Sequence, residues 1–413
     1  MRRRERTPRP CSWKLHLRVL WLASCLLWGL GCSRSESSAT PAPVQLDEAR
    51  ARASVATYAD IAFAVYGDSL ALARALDAAV VELVGAPSSE TLRAAREAWL
   101  KARVPYVQSE AFRFYDGPID GVEFWLNTWP IDENFVDTTD PTQPPGVIGD
   151  REHYPEINEA LLLKLNGAAS ETSISTGYHV IEFLLWGRDE SPEGPGARPP
   201  ADFVGEPGSV QARRGEYLRV TTGLLVKQLA QVADAWDPRA QGNFRARFQA
   251  LPVRRALGLM LKGMGALSGP ELSGERLTVA YETKDQENEH SCFSDSTQRD
   301  MVGDALGVEN LCLGRYHRRD GSELQGVGLC PLVQSVDPAR GEELTRQIQA
   351  SVAAARAIPE PFDQAILGAD AAPGRRAILE TIRALETQAA SIARTAAALG
   401  VDLGLATAQA GKP

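Results

Sequence analysis

The C-terminal part of the chain carries the pattern that decides the fold. Residues 373–400 read PGRRAILETIRALETQAASIARTAAALG. Apolar residues recur in this stretch at alternating intervals of four and three, which is the spacing of one buried helix face: Ile378, Ile382, Leu385, Ala389, Ile392, Ala396 and Leu399. Gly400 comes next and is typical of a residue that ends a helix. The stretch therefore predicts one long amphipathic helix.

Similar spacing extends over most of the remaining sequence. Residues 48–66, 69–84 and 89–112 are rich in Ala, Leu and Arg at helical intervals. Another helix is expected to end before Pro238, with its apolar face formed by Leu218, Leu225, Leu229, Val232 and Trp236. Alternating β-branched residues, which would indicate strands, are scarce. The sequence predicts an all-α protein built from helical bundles.

A segment rich in proline and glycine interrupts these helices near the middle of the chain. This linker covers residues 191–210. Because such segments end helices and separate packed units, we expect two tandem up-and-down helical bundles of similar size. The N-terminal bundle is assigned to residues 48–190 and the C-terminal bundle to residues 211–405.

The first residues have the features of an export signal. A basic stretch through Arg18 precedes the apolar run Val19–Leu30, which is shorter than the roughly 20 residues needed to span a bilayer. Gly31 and Cys32 then resemble a bacterial lipoprotein cleavage site. We predict a signal peptide over residues 1–31, a lipid on Cys32 and a flexible tether over residues 32–47. These features place the protein in the bacterial cell envelope, at the outer membrane or in the periplasm. Plain secretion is the alternative.

The charge of the chain argues against a nucleic-acid partner. The formal net charge is −9, and residues 1–31 contribute seven bases and only one acid. The remaining residues hold 37 bases and 52 acids, a formal charge of −15. Phosphate contacts need clustered Lys and Arg, whereas an acidic surface suits cations.

Export also affects how the cysteines are interpreted, because the envelope outside the inner membrane is oxidising. Cys312 and Cys330 flank a loop rich in turn-forming residues. We expect a disulfide to close this loop and Cys292 to stay free. Three cysteines allow other pairings, and none of their spacings is typical of a zinc site.

The most informative segment for function is residues 175–187, which read STGYHVIEFLLWG. Apolar residues on nearly every face predict a short buried helix that is capped by Ser173 or Ser175 and ended by Gly187. His179 and Glu182 are three residues apart and share one face of this helix. A buried pair of this kind must be hydrogen-bonded or bound to a metal, and Glu and His at this spacing build iron sites in helical bundles. The alternative is a neutral pair whose members bond to each other or to the next bundle.

Two other polar segments are candidates for the same site. Residues 281–295 read YETKDQENEHSCFSD and contain Glu287 and His290, again three apart. A solvated helix face is the alternative for this charge run. Residues 109–123 read SEAFRFYDGPIDGVE, where polar groups alternate with aromatic residues. Ion pairing of Arg113 with Glu110 or Asp116 is the alternative there.

Several catalytic motifs are absent from the sequence. It contains neither His-Glu-x-x-His nor His-x-x-Glu-His, so the common zinc-peptidase helices are missing. It also lacks a Gly-x-Ser-x-Gly elbow, a phosphate-binding glycine loop and a dinucleotide fingerprint.

These motifs together resemble a known family. Gly177-x-His179-x-x-Glu182 followed by FLLWG is similar to the signature of imelysin-like proteins, also called M75 peptidases. The runs FRFYDGPID at residues 112–120 and NTWPIDE at residues 127–133, with the cluster at residues 282–300, resemble the iron-regulated protein A branch. The resemblance spans most of residues 48–400. It implies a pseudo-symmetric pair of helical bundles with the His-x-x-Glu motif in a cleft near their interface. It also implies an envelope location and a link to iron uptake.

We expect the protein to bind iron or an iron-containing ligand. The predicted metal ligands are His179, Glu182, Glu287 and His290, a set that would also accept zinc or manganese. The predicted supporting pocket consists of Glu110, Arg113, Asp116, Asp120, Glu123, Gly177, Glu282 and Asp285. The expected partners are iron or an iron chelate, the membrane through a lipid on Cys32, and an outer-membrane or uptake-system protein.

Two other functions stay open at the level of sequence. The first is a metal-dependent peptidase in which His179 is a ligand and Glu182 is a ligand or the general base. The second is an interaction scaffold in which the polar motif only locks two bundles together.

Overall fold

Helices account for nearly all regular structure in residues 45–138, 142–191, 194–401 and 403, which the computed structural model describes. The α-helices are α1 (Glu48–Gly85), α2 (Ser89–Gln108), α3 (Glu123–Leu126), α4 (Glu133–Val136), α5 (Glu159–Leu165), α6 (Tyr178–Trp186), α7 (Val210–Ala235), α8 (Phe244–Gln249), α9 (Val253–Ala266), α10 (Val279–Thr283), α11 (Thr297–Leu313), α12 (Leu329–Val336), α13 (Pro338–Ala357), α14 (Phe362–Ala365) and α15 (Pro373–Ala398). Short 3₁₀ turns cover Ser109–Phe112, Pro200–Phe203 and Gln286–Asn288, and a π-helical stretch covers Leu267–Thr278. The strands are β1 (Arg315–His317) and β2 (Glu323–Gln325), which pair antiparallel. The predicted all-α class is confirmed.

The first helix is longer than the sequence pattern predicts. The segments expected at residues 48–66 and 69–84 form the single helix α1, which starts where the Asp47 side chain accepts a hydrogen bond from the backbone N–H of Arg50. Gly67 lies inside α1 and costs the helix only about 1 kcal/mol relative to alanine, which the buried apolar face of a long helix outweighs. Helix α1 packs along both α2 and α7.

Helix α2 positions the region where the candidate residues meet. Its start has a capping box, in which the side chains of Ser88 and Thr91 each bond the other residue's backbone N–H. Besides α1, α2 packs against α6 and α11. Its buried face carries Trp99, Arg103 and Tyr106, so a charged guanidinium is held inside the protein between these helices.

The hydrophobic core is continuous across the two predicted bundles. One cluster of buried side chains includes Leu76 and Trp99 together with Leu225, Leu311 and Ile378. Helix α15 packs against α13, α9 and the π-helical stretch. The described residues belong to one compact unit. The division into bundles 48–190 and 211–405 and the pseudo-symmetry both stay predictions. The predicted signal peptide, the predicted lipid on Cys32 and nearly all of the predicted tether lie outside the described residues.

A disulfide and a buried aspartate hold the small hairpin. Cys312 and Cys330 are bonded, with their Cα atoms 4.8 Å apart, and Cys292 is a buried free thiol. Asp68 of α1 accepts hydrogen bonds from the Tyr316 hydroxyl at 3.2 Å and from Arg318 Nη2 at 2.7 Å. These contacts fix the loop between α11 and α12 against α1. None of the helices in the described ranges is both long enough and apolar enough to cross a membrane.

Candidate functional site

The helix that carries His179 and Glu182 starts at a glycine that no other residue can replace without strain. Gly177 has φ +97°, and a Cβ atom at this position would lie 2.6 Å from the carbonyl oxygen of Leu126. The expected serine cap is not formed, because the Ser175 hydroxyl donates to the carbonyl of Leu162 at 2.6 Å instead. Gly187, with φ +77°, ends the helix as expected. All nine residues of α6 are buried.

His179 and Glu182 are bonded to each other inside the protein. Nδ1 of His179 lies 3.1 Å from Oε2 of Glu182, and both side chains are at most 1% exposed. The other oxygen, Oε1, accepts hydrogen bonds from the backbone N–H and the hydroxyl of Ser294 at 2.9 and 2.6 Å. Burial raises the pKa of Glu182 to about 8, and burial together with His290 lowers the pKa of His179. Burial thus disfavours the charged form of both groups.

His290 is held by a second carboxylate. Its Nδ1 lies 2.8 Å from Oδ2 of Asp300, an oxygen that also accepts from Arg103 Nη2 at 2.5 Å and from the Ser291 hydroxyl at 2.7 Å. Burial alone would raise the pKa of Asp300, but Arg103 and His290 outweigh burial and hold this pKa below its usual range. Burial and the nearby Arg276 lower the pKa of His290 to about 4. His290 is thus a neutral imidazole bonded to an ionised carboxylate.

The two histidines meet although they are more than 100 residues apart in sequence. Their ring centroids are separated by 4.7 Å with an interplanar angle of 66°, and the ring centroid of Trp129 lies 5.7 Å from that of His290. Nε2 of His179 is buried and has no hydrogen-bond partner. Two neutral imidazoles therefore lie side by side, each with its Nδ1 bonded to a carboxyl group.

A polar cleft leads from the surface to His290. Its volume is about 270 Å³. One wall carries Asn127, Thr128, Trp129 and Pro130, and the other carries Arg113, Glu123, Glu271, Glu275 and Arg276. Arg113 and Trp129 each have a buried side-chain N–H without an acceptor, at Nε and Nε1 respectively. The residues that line the cleft thus include an imidazole and two side chains with a buried N–H group.

An ion-pair network lies behind the charged wall of this cleft. Oε2 of the fully buried Glu110 accepts from Arg113 at 2.5 Å and from Arg276 at 2.6 Å, and Arg276 also bonds Asp304 at 2.8 Å. Burial would raise the pKa of Glu110, but Arg113 and Arg276 outweigh it and lower this pKa to about 2. Of the two ion pairs that the sequence left open for Arg113, the one with Glu110 is therefore present.

The low pKa of Glu110 predicts a loss of stability in acid. Because the folded pKa lies below the ordinary value of 4.5, the stabilisation is present above that pH and is lost as the pH falls towards 2. The loss should amount to about 3 kcal/mol in the free energy of unfolding. The free energy of unfolding, measured with denaturant, should fall more between pH 6 and pH 3 in the wild type than in Glu110→Gln. An equal fall in the free energy of unfolding of both proteins would contradict this origin of acid sensitivity. Glu97→Gln, a substitution at the surface, is the control.

The structure does not bring all the predicted site residues together. Glu287 is exposed and lies beside Glu133, because the 3₁₀ turn Gln286–Asn288 gives way to extended backbone at Glu289. Glu287 and His290 therefore do not share a helix face. Glu282 and Asp285 are exposed as well.

Two residues of the predicted supporting pocket have other positions and roles. Asp116 is exposed and has φ +63°. Asp120 accepts hydrogen bonds from the backbone N–H groups of Phe114, Tyr115 and Gly117, so it fixes the loop that carries Arg113.

Two central residues, Arg103 and Asp300, were missed as site members by sequence reasoning. The available signals were a single arginine on the otherwise apolar face of α2 and an aspartate in the first turn of α11. Within the described ranges, no group of three or more His, Cys, Asp or Glu side chains is arranged to hold a metal ion.

Comparisons with known proteins agree with this architecture. An iron-regulated protein A of Synechococcus elongatus is 24% identical over 286 residues, covering 67% of each chain. The crystal structure described as an iron-regulated protein A precursor from Parabacteroides distasonis covers 88% of this chain and 97% of its own, with a TM-score of 0.66 at 20% identity. An imelysin-like protein from Psychrobacter arcticum covers 88% of this chain and 99% of its own, with a TM-score of 0.62 at 14% identity.

The family assignment rests on a match over most of the sequence. The sequence profile of imelysin, peptidase M75, matches residues 62–392. This range contains the His-x-x-Glu helix, the second histidine and both walls of the cleft. The chain belongs to the imelysin (peptidase M75) family.

Proposed function

We propose that this protein binds an iron chelate in the cell envelope, through His179 and His290. The observation that carries the proposal is the pair of neutral imidazoles with ring centroids 4.7 Å apart, one of which has an Nε2 atom without a partner. A buried polar atom of this kind costs about 1–3 kcal/mol unless a ligand or water satisfies it. A bound metal centre would satisfy it.

The two histidines have the chemistry of metal ligands. A metal binds neutral imidazole, and the low pKa values keep both rings neutral at physiological pH. Each Nδ1 is bonded to a carboxyl group, which is the usual arrangement around a ligating histidine and leaves Nε2 for the metal. Imidazole suits iron, zinc and copper.

Glu182 is better suited to orient His179 than to bind the metal. Both of its oxygens already take part in hydrogen bonds, one with His179 and one with Ser294. Two histidines are too few to hold a bare ion, since a protein site normally supplies three or more ligands. The other ligands would then come from a chelator that enters the polar cleft beside His290.

The identity of the metal and the location are supported by the relatives and by the sequence. Two of the similar proteins are named iron-regulated protein A. The signal sequence supports export, and a lipid on Cys32 would hold the protein at a membrane. In this setting the protein would pass its iron chelate to an outer-membrane or uptake-system protein.

The proposal is tested by the iron content of residues 42–413 after exposure to ferric citrate. Ferrous and zinc ions are offered in parallel, and unbound metal is removed by gel filtration before elemental analysis. The variants His179→Ala and His290→Ala are compared with His153→Ala and His317→Ala. The last two are matched controls, because their side chains are 72% and 70% exposed.

We expect stoichiometric iron in the wild type and in both control variants. Iron should be absent from His179→Ala and His290→Ala, while their helical circular dichroism is retained. Equal iron in His179→Ala and the wild type would refute the site. If the protein binds bare zinc and ferrous ions but not ferric citrate, the proposal that its ligand is an iron chelate is refuted.

Peptidase activity, which the family name includes, is the second candidate function. A general base must be within reach of a water molecule and free to accept its proton. Both oxygens of Glu182 are already hydrogen-bonded, and burial raises its pKa to about 8, so the geometry favours binding over hydrolysis. Chelator-sensitive cleavage of casein by the wild type, abolished in Glu182→Gln, would establish the peptidase instead.

A further inference from the structure

A basic segment lies between the two histidines in the sequence. Residues 238–270 contain six basic residues and no acidic residue, in a protein with 53 acids and 44 bases. The bases are Arg239, Arg245, Arg247, Arg254, Arg255 and Lys262. Such a segment creates a local positive potential on a molecule whose overall charge is negative.

Helix α9 arranges part of this segment into a groove. Arg255, Leu259 and Lys262 follow one another at intervals of four and three, so they lie on one face of the helix. The opposite face is buried in the core through Leu257 and Leu261. The exposed face borders a groove of about 390 Å³, whose other lining includes Arg254, Val401 and Leu403.

Two of the basic residues in this groove have no carboxylate partner in the described part of the chain. Elsewhere in the segment, Arg245 pairs with Asp60, and Arg239 pairs with Asp237. Arg255 is exposed and Lys262 is half-buried, and neither has a carboxylate within salt-bridge distance among the described residues. Both cations line the groove.

The wall of the groove is anchored at the end of α15. The guanidinium of Arg254 donates to the backbone carbonyl of Leu399, which follows the last residue of that helix. This contact ties α9 to the end of α15 and places Val401 and Leu403 opposite the basic residues. The described lining of the groove thus combines basic residues of α9 with apolar residues that follow α15.

We propose that this groove binds the phosphate headgroup of an anionic phospholipid and lays this face of the protein on a membrane. The two cations match the phosphate, and Leu259, Val401 and Leu403 match the start of an acyl chain. Basic side chains near an anionic bilayer each contribute roughly fivefold to binding. An acidic segment of a partner protein would use the cations and leave the apolar side unused, so the lipid fits the groove better. The inference does not depend on iron binding.

The test is flotation of residues 42–413 with vesicles, because this part of the chain has no lipid attached. The protein is mixed with vesicles of phosphatidylcholine alone or with 30% phosphatidylglycerol at about physiological ionic strength. The groove variant is Arg255→Glu with Lys262→Glu. The matched control is Lys101→Glu with Lys164→Glu, which changes the net charge equally at two exposed lysines outside the groove.

We expect the wild type to bind the anionic vesicles and not the neutral ones. The groove variant should bind at least about tenfold more weakly, and the control variant should resemble the wild type. Equal losses in both variants would show a response to net charge and overturn the assignment. Absence of flotation in the wild type would also overturn it and would point to an acidic protein segment. Unchanged melting temperatures show that the variants are folded.

Discussion

Replacing Arg103 with methionine is expected to lower the free energy of unfolding by about 3–5 kcal/mol. The guanidinium is 3% exposed and bonds Oδ2 of Asp300 at 2.5 Å and Oδ1 of Asn127 at 2.5 Å. Without it, the charge of Asp300 stays inside the protein with only His290 and Ser291 as partners. Methionine keeps much of the side-chain volume, so the loss reports the missing charge. Chemical denaturation measures the change.

Another arginine on the same helix provides the control for this prediction. Arg93 of α2 pairs with Glu97 at the surface, where both side chains are about half exposed or more. Arg93→Met should cost at most about 0.5 kcal/mol, because solvent screens exposed pairs. Adding Asp300→Asn to Arg103→Met should restore at least about 1 kcal/mol, since no charge is then left unpaired. If Arg103→Met and Arg93→Met have equal effects, the buried pair does not stabilise the fold.

Arg103 also shows why part of the candidate site could not be predicted from the sequence. Its partner Asp300 is 197 residues away, and no local pattern links the two residues. The burial of His179 and Glu182 was predictable because apolar residues occupy nearly every other position of their helix. Pairing across the fold depends on how helices pack, which periodicity does not encode.

The pair Glu287 and His290 illustrates a second limit. A spacing of three residues places two side chains together only if the backbone between them is helical. At Glu289 the backbone is extended, with φ −84° and ψ 145°, and His290 turns into the interior while Glu287 stays outside. For α15, in contrast, the regular apolar intervals extend over more than five turns, and the helix follows them from Pro373 to Ala398.

The two proposed binding regions, the histidine pair and the basic groove, differ in the ligand chemistry they would use. The histidine pair is buried, so it would select a ligand by coordination and hydrogen bonding. The groove carries exposed and half-buried cations, so it would select by charge and depend on ionic strength. Variants that remove iron should therefore leave vesicle binding unchanged, and groove variants should retain iron.

The Gly177→Ala substitution is expected to destabilise the protein by about 3 kcal/mol or more. A methyl group there would lie 2.6 Å from the carbonyl oxygen and 2.8 Å from the carbonyl carbon of Leu126, both backbone atoms that cannot rotate away. The backbone conformation, with φ +97° and ψ −179°, is also one that only glycine adopts readily. His179 follows two residues later, so the displaced helix start should also abolish iron binding. Chemical denaturation and iron content measure the two effects.

The variant Gly242→Ala distinguishes the two causes of this loss of stability, the steric contact with Leu126 and the positive φ angle. Gly242 also has a positive φ, +68°, but a Cβ atom there would meet nothing within 4 Å. Gly242→Ala should therefore cost only about 1–2 kcal/mol from the left-handed backbone and leave iron binding intact. The difference between the two losses in the free energy of unfolding reports the cost of crowding where the start of α6 contacts the end of α3. This contact positions His179 in the core. Equal losses in both variants would mean that the Leu126 carbonyl moves away freely and does not position the histidine.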